Sequence, residues 1–253
     1  MKQLSILLTL TLFSMQILYA DIVGGEISLG IFNHAPSGDT TYQNNFSIDV
    51  EENLYWEKET DIMFKVYLEH PMPLLPNIKV GYSALNHDGT GRADNFSWGD
   101  MSHLSGDLFS QLEMKMYDAT LYYELVDTLV DIDAGITLRY MDGQLTVNID
   151  SPGGLLSTHY EAVEFDTVIP MLYGKFRTVL PTTDISLQLE ANYIHYKETT
   201  LYDYEISTRY TLVAGLGIEA GYRAVHLDST DLEEGLSIDV DFKGPYAAVV
   251  WDF

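Results

Sequence analysis

The sequence predicts an all-β chain folded as an antiparallel up-and-down transmembrane β-barrel. Three observations carry this reading. Apolar residues recur at every second position over many short segments, connections between segments are alternately short and long, and the chain opens with a leader of secretory type.

The leader comes first. Lys2 gives a short basic start, Leu4 to Leu18 is mostly apolar, and Ala20 occupies the small-residue position before a cleavage site. Residues 1–20 are expected to be a signal peptide and 21–253 a single barrel domain. The apolar run is short for a spanning helix.

Ten strands are expected, at 22–32, 59–69, 77–86, 107–125, 130–140, 159–178, 185–196, 203–212, 216–227 and 237–253. Eight or twelve stay open, because 44–56 and 144–150 could extend strands. In DIDAGITLRY (131–140), Ile132, Ala134, Ile136, Leu138 and Tyr140 share one face, opposite Asp131, Asp133, Thr137 and Arg139. NIKVGYSALN (77–86), DISLQLEANY (184–193) and GIEAGYRAVH (217–226) repeat the pattern. Short connectors lie at 70–76, 126–130, 179–184 and 212–217. Longer polar ones are expected at 33–58, 87–106, 141–158, 197–202 and 228–236. Pro170 marks either a bulge or an edge-like bend. Near the end, Ile238, Val240 and Phe242 are even-numbered while Val249, Trp251 and Phe253 are odd. That change of phase calls for a β-bulge at Gly244–Pro245.

Composition excludes several classes. A formal charge of −25 with 13 Lys and Arg argues against nucleic acid and against plain adhesion to anionic lipid. Acidic groups can still meet such lipid through divalent cations. With 0 cysteines, disulfides, thiol catalysis and zinc–thiolate sites are excluded. The 18 tyrosines, several near strand ends (Tyr82, Tyr140, Tyr193, Tyr196, Tyr222), suit a membrane–water interface.

In a membrane barrel the apolar face points to lipid and the other face lines the lumen. The lumen is therefore expected to hold Lys79, Asp131, Asp133, Arg139, Glu190, Glu205, Arg209, Glu219 and Arg223. Paired, these charges plug the interior; solvated, they line a narrow cation-favouring channel. Ten strands enclose little beyond a filled interior, which favours the plug.

The ending GPYAAVVWDF (244–253) resembles the carboxyl-terminal signal of bacterial outer-membrane barrels, with Tyr246, Val249, Trp251 and Phe253 as its apolar residues. That resemblance implies recognition by the barrel-assembly machinery. With Gly24–Gly25, the GYR stretch at 221–223 and the KGPY segment, the chain resembles a family of small outer-membrane barrels of unassigned activity. The resemblance implies the outer membrane of a Gram-negative bacterium as location, with outer-membrane lipid and lipopolysaccharide as partners. It supplies no catalytic residue.

His226 and Asp228, with His195 and Glu198 as a second candidate, are similar in kind to the acidic and His residues at the rim of the ten-stranded omptin proteases. Such an enzyme needs two groupings facing across the mouth to activate water. A solvated-loop reading outweighs it, as it does for His34, His87, His103 and His159. DSTDLEEG (228–235) and Asp49, Glu51 and Glu52 are read as solvated acidic loops, with weak divalent-cation binding as their alternative. No cofactor is expected. The leading expectation is a non-enzymatic envelope protein with a structural or surface-interaction role. A small cation-favouring pore and a rim hydrolase are the alternatives.

Overall fold

The computed structural model describes residues 24–43, 46–72, 74–151, 158–230 and 232–253. The expected signal peptide and Asp231 lie outside them. Eleven strands follow in chain order: β1 (Gly24–Tyr42), β2 (Ile48–Asp49), β3 (Glu59–Glu69), β4 (Asn77–Trp98), β5 (Met101–Asp127), β6 (Val130–Asp150), β7 (Thr158–Val179), β8 (Ile185–Tyr196), β9 (Thr199–Val213), β10 (Leu216–Ser229) and β11 (Leu236–Asp252). All pairings are antiparallel, and β11 returns to pair with β1. The closed ring consists of ten of these strands. β2 is a two-residue addition that pairs only with β1.

Several strands far exceed the ~9–11 residues that cross a bilayer. β5 runs for 27 residues and β6 for 21. The expected loops at 87–106 and 141–158 are therefore largely strand. Their alternation has the opposite sense to that of the spanning segments, which hides it. On β6, Ile132, Ile136, Leu138 and Tyr140 face outward and are exposed, while Asp133, Thr137 and Arg139 face inward. From Met141 upward the chemistry reverses. Met141, Leu145, Val147 and Ile149 are buried inside, and Asp142, Gln144, Thr146 and Asn148 lie outside. The backbone phase never changes. Only the medium outside the wall changes, from lipid to water.

The same reversal corrects the reading of β11. Even-numbered residues face inward along its whole length, from Leu236 to Val250. The register with β10 runs unshifted through Tyr222↔Pro245 and Arg223↔Gly244, so no bulge occurs there. Ile238, Val240 and Phe242 are apolar because they fill the inside above the membrane. Val249, Trp251 and Phe253 are apolar because they meet lipid. Gly244 is needed for another reason: a Cβ there would collide with the Asn33 carbonyl oxygen of β1.

The tyrosines mark the level of the reversal. Tyr82, Tyr117 and Tyr140 stand outward on neighbouring strands, with ring centroids 5.1 and 6.1 Å apart. This is an upper aromatic girdle, displaced from the strand ends because the strands continue past it. Trp251 and Phe253, 5.1 Å apart, lie toward the lower edge of the band. There Gly25 and Phe253 exchange backbone hydrogen bonds of 3.1 and 2.9 Å, closing the ring.

Above the girdle the barrel parts into two arms, β4–β7 and β9–β11 with β1. An apolar core fills the space between them. It includes Trp98, Leu108, Leu112, Leu145, Val147, Phe165, Leu227, Val240 and Phe242. On one flank, residues 46–58 cover the upper edge of β4: Trp56 bridges Gly89, and the Tyr55 hydroxyl donates to the Arg92 carbonyl at 2.8 Å. On the other flank, β7 pairs with β8 only from Leu172 to Val179. Pro170 lies just above that limit, in unshifted register with Leu138 of β6, so it marks an edge rather than a bulge.

The reversal predicts opposite outcomes for one substitution at two outward positions of β6. Ile136→Lys is expected to cost about 2–4 kcal/mol, because it puts a charge near the middle of the lipid band. Thr146→Lys is expected to change stability by no more than about 0.5 kcal/mol. Urea unfolding from vesicles, followed by gel mobility, measures both.

Candidate functional site

The inward face within the membrane band is polar, and its ionic groups fall into three levels. At the lowest, the Arg209 guanidinium forks onto Glu26, with Nη1–Oε2 and Nη2–Oε1 both 2.8 Å, and its Nε donates to Glu219 at 3.0 Å. The Tyr246 hydroxyl donates to the other Glu219 oxygen at 2.6 Å. Arg177 and Asp252 complete this level, 3.8 Å from Glu26 and 3.3 Å from Arg209.

In the middle, Lys65 bridges Glu190 at 3.1 Å and Glu205 at 2.6 Å, and Lys79 also binds Glu190. The Tyr67 hydroxyl donates to Glu190 at 2.8 Å. Lys79 sits 4.9 Å from the centre of the Tyr173 ring, and Lys175 sits 4.3 Å from that of Tyr67. Lys175 approaches Asp133 at 4.0 Å. At the top, Arg139 forms a bidentate pair with Asp118 (2.8 and 2.7 Å) and reaches Asp203 at 2.7 Å. Arg223 holds the same Asp203 at 2.9 and 2.7 Å.

The residues that the strand pattern assigned to the lumen are thus all inward, with Asp131 half-buried at the lower end, opposite Arg177 in the β6–β7 register. Those that it missed include Glu26, Lys65, Glu69, Asp118, Lys175, Arg177, Asp203 and Asp252. Each shares strand parity with an assigned or inward neighbour, so extending the parity along every strand would have found them.

A plane of apolar side chains closes the top of this ionic zone. On strand after strand, the inward residue two positions above the last polar one is apolar. Met116 follows Asp118, Met141 follows Arg139, Met171 follows Tyr173 and Met63 follows Lys65; Leu201 follows Asp203 and Val225 follows Arg223. Four of the six are methionines, whose flexible chains fill irregular gaps. The cavity beneath this plane, among Lys65, Asp118, Glu190, Asp203 and Arg223, measures about 20 Å³.

Two histidines sit just above. His87 Nδ1 donates to the Glu57 carbonyl at 2.8 Å, which leaves its Nε2 to accept from His34 Nδ1 at 3.0 Å. His34 Nε2 lies 3.3 Å from the Asp61 carboxylate. The chain of contacts ties the covering segment 46–58 to β1, β3 and β4. Both rings are buried, so neither is a solvated loop residue.

The rim candidates lie elsewhere. His195, His226 and Asp228 all point away from the lumen, on the outer wall. His195 Nδ1 lies 2.9 Å from the Thr200 hydroxyl, and His226 stacks on Tyr202 at 4.7 Å and approaches Asp241 at 3.2 Å. They do not face one another across a mouth, because apolar core occupies that space. In the acidic segment before β3, Asp49 shapes a turn, its Oδ1 accepting the Glu51 and Glu52 amides at 2.8 and 2.7 Å. Among the described residues no group of three or more His, Asp or Glu side chains is placed to hold a metal ion.

No protein-family model matches the sequence, and no curated protein sequence matches it. Solved structures do. The outer-membrane protease OmpT from Escherichia coli superposes with a TM-score of 0.53 at 11% identity, covering 92% of this chain and 97% of that one. The fold is that of an outer-membrane β-barrel. Weaker likenesses include the transport unit of the autotransporter AIDA-I from Escherichia coli (TM-score 0.40, 12% identity, 91% and 89% covered) and Ail of Yersinia pestis (0.38, 8%, 90% and 98%). At 11% identity the likeness to OmpT is one of architecture.

Two outcomes follow from the interior. Arg209→Met leaves Glu26 and Glu219 without their main cation, and is expected to cost about 3–5 kcal/mol in denaturant unfolding. Burial, reinforced by the nearby His34, pushes His87 down from 6.5 to about 4. His87 then binds its proton less readily folded than unfolded. Its contribution is whole above about pH 6.5 and is lost as pH falls toward 4, by about 3 kcal/mol. Unfolding midpoints between these pH values should slope upward with pH, and His87→Gln should flatten the slope.

Proposed function

We propose that this protein is an outer-membrane barrel with a closed lumen and a structural or surface-interaction role. The observation that carries the reading is the stack inside the wall: three ionic levels, a methionine-rich plane and an apolar core above it. The cavity of about 20 Å³ among Lys65, Asp118, Glu190, Asp203 and Arg223 has room for little more than one water molecule. A conducting path needs a continuous column of water.

The outer wall supports a surface role. Asp228, Asp239, Asp39 and Asp49 stand side by side across β10, β11, β1 and β2 in register. Like charges placed directly opposite are unfavourable, so this face suits neutralisation by divalent cations shared with the phosphates of lipopolysaccharide. The outward trio Val249, Trp251 and Phe253 fits a strand that assembly machinery can grip from the lipid side. Tyr246 points the other way and belongs to the Glu219 contact. A rim hydrolase loses support, because its residues are dispersed on the outer wall. An outer-membrane location fits the lipid-facing band and the leader.

Planar-bilayer recording of the refolded protein, with heat-modifiable gel mobility as the folding control, tests the closed lumen. No unitary steps are expected from the folded protein. Steady cation-selective steps would overturn the reading and make the protein a channel.

A further inference from the structure

The wall has one seam where strand pairing stops and, among the described residues, no chain segment takes its place. β7 leaves β8 at the Leu172↔Tyr193 pair, while its upper length stays bonded to β6 as far as Thr158. The matching seam beside β4 is covered by residues 46–58. Beside β7 lies a groove of about 410 Å³, bordered by Val168 and Pro170 on one side and by Ile194, Tyr196, Lys197 and Leu232 on the other. That volume lies within the range of sites that bury a small molecule.

We infer that this seam holds one acyl chain of an anionic outer-leaflet lipid, drawn upward from the bilayer. Three features select that occupant. First, the groove is continuous with the lipid-facing wall. Val168 pairs with the girdle residue Tyr140 in the β6–β7 register, and both point outward, as do Leu172 and Tyr193 below them. A chain can enter without crossing water. Second, the lining is mostly apolar, and it leads inward to Ile169 and Leu232 of the upper core. Third, the rim carries a cation on a wall dominated by carboxylates. Lys197 sits in the two-residue turn between β8 and β9 with φ of 53°, and its Nζ lies 5.4 Å from the Tyr196 ring centre. A phosphate at the girdle level would meet this ammonium group. Pro170 has no N–H to offer at the foot of the edge, which disfavours a peptide strand added there.

The chain has 0 cysteines, so single-cysteine labelling is clean. The experiment places a bimane fluorophore at Thr167→Cys, on the groove wall, in protein folded into vesicles. The vesicles contain phosphatidylglycerol bearing a nitroxide midway along one acyl chain. Leu172→Cys reports the lipid band. Asp142→Cys reports the same level as the groove on the watery outside, since Asp142 pairs with Asp166.

Quenching at 167 comparable to that at 172, with little at 142, is expected. Mid-chain nitroxide in bulk lipid lies too deep to reach 167. Quenching at 167 no greater than at 142 would overturn the inference. Cysteine crosslinking between Thr167→Cys chains would also overturn it, by assigning the groove to a second copy. Thr199→Trp, which fills the groove, should abolish the signal at 167 and leave that at 172; persistence would overturn the assignment. The Lys197→Glu variant should remove a several-fold preference for labelled phosphatidylglycerol over phosphatidylcholine. Equal quenching by both lipids in the unaltered sequence would overturn the anionic headgroup. Heat-modifiable mobility confirms folding of each variant, and Ser229→Cys is the second groove position if Thr167→Cys does not fold.

Discussion

One constraint orders the side chains of this barrel. A β-strand sends successive residues to opposite sides of a wall, and lipid bathes the lower part of that wall while water bathes the upper part. Inside and outside are fixed by parity along each strand. Which of the two must be apolar is fixed by height. Below the tyrosine girdle the outside must be apolar and the inside takes the polar groups. Above it the protein behaves as a soluble β-structure, with its apolar residues inward. The girdle, the methionine plane and the unbroken register of β11 through Gly244–Pro245 express this single reversal.

The ionic interior is a consequence of the same rule. Charges excluded from the lipid face collect inside, where each must be matched because an unpaired buried charge is costly. In the middle level Lys65 bridges Glu190 and Glu205, but at the lowest and top levels arginine holds two carboxylates at once: Arg209 between Glu26 and Glu219, Arg139 between Asp118 and Asp203. A planar fork of donors suits this better than an ammonium group. Lys79 and Lys175 lie where tyrosine rings supply the remaining contacts.

Much of the fold is legible in the sequence because period-two alternation survives without tertiary information. The ten ring strands and the short lower turns follow from it. The upper strands escape such a reading because an inward-apolar pattern, met with outward-apolar expectations, looks like a phase error. At β11 that misreading produces a bulge that does not exist. Residues 141–143 pass for loop and 144–150 for no more than an optional extension, although Met141, Leu145, Val147 and Ile149 keep strict alternation there. Pairing partners are harder to see. Arg209 and Glu26 are 183 residues apart, and no local pattern predicts their contact. The His34–His87–Asp61 chain is invisible for the same reason. The rim reading of His195, His226 and Asp228 has the height right and the side of the wall wrong, because the side follows only from carrying parity past the girdle.

The joint between β1 and β11 has a kinetic meaning. Nine of the ten ring contacts join strands that follow one another closely in the chain, so they can form as local hairpins and grow in sequence. The tenth brings Glu26 opposite Asp252 and demands that a long loop be closed. The entropic cost of such a closure rises only with the logarithm of loop length, but it falls all at once on the final step. Arg209 of β9 is placed to meet that moment. It reaches Glu26 on the first strand and Asp252 on the last, so the event that shuts the ring also completes the deepest ionic contact. Until then its charge has Glu219, close by in the β9–β10 hairpin, as partner. Sealing the barrel and neutralising its floor are therefore one cooperative act.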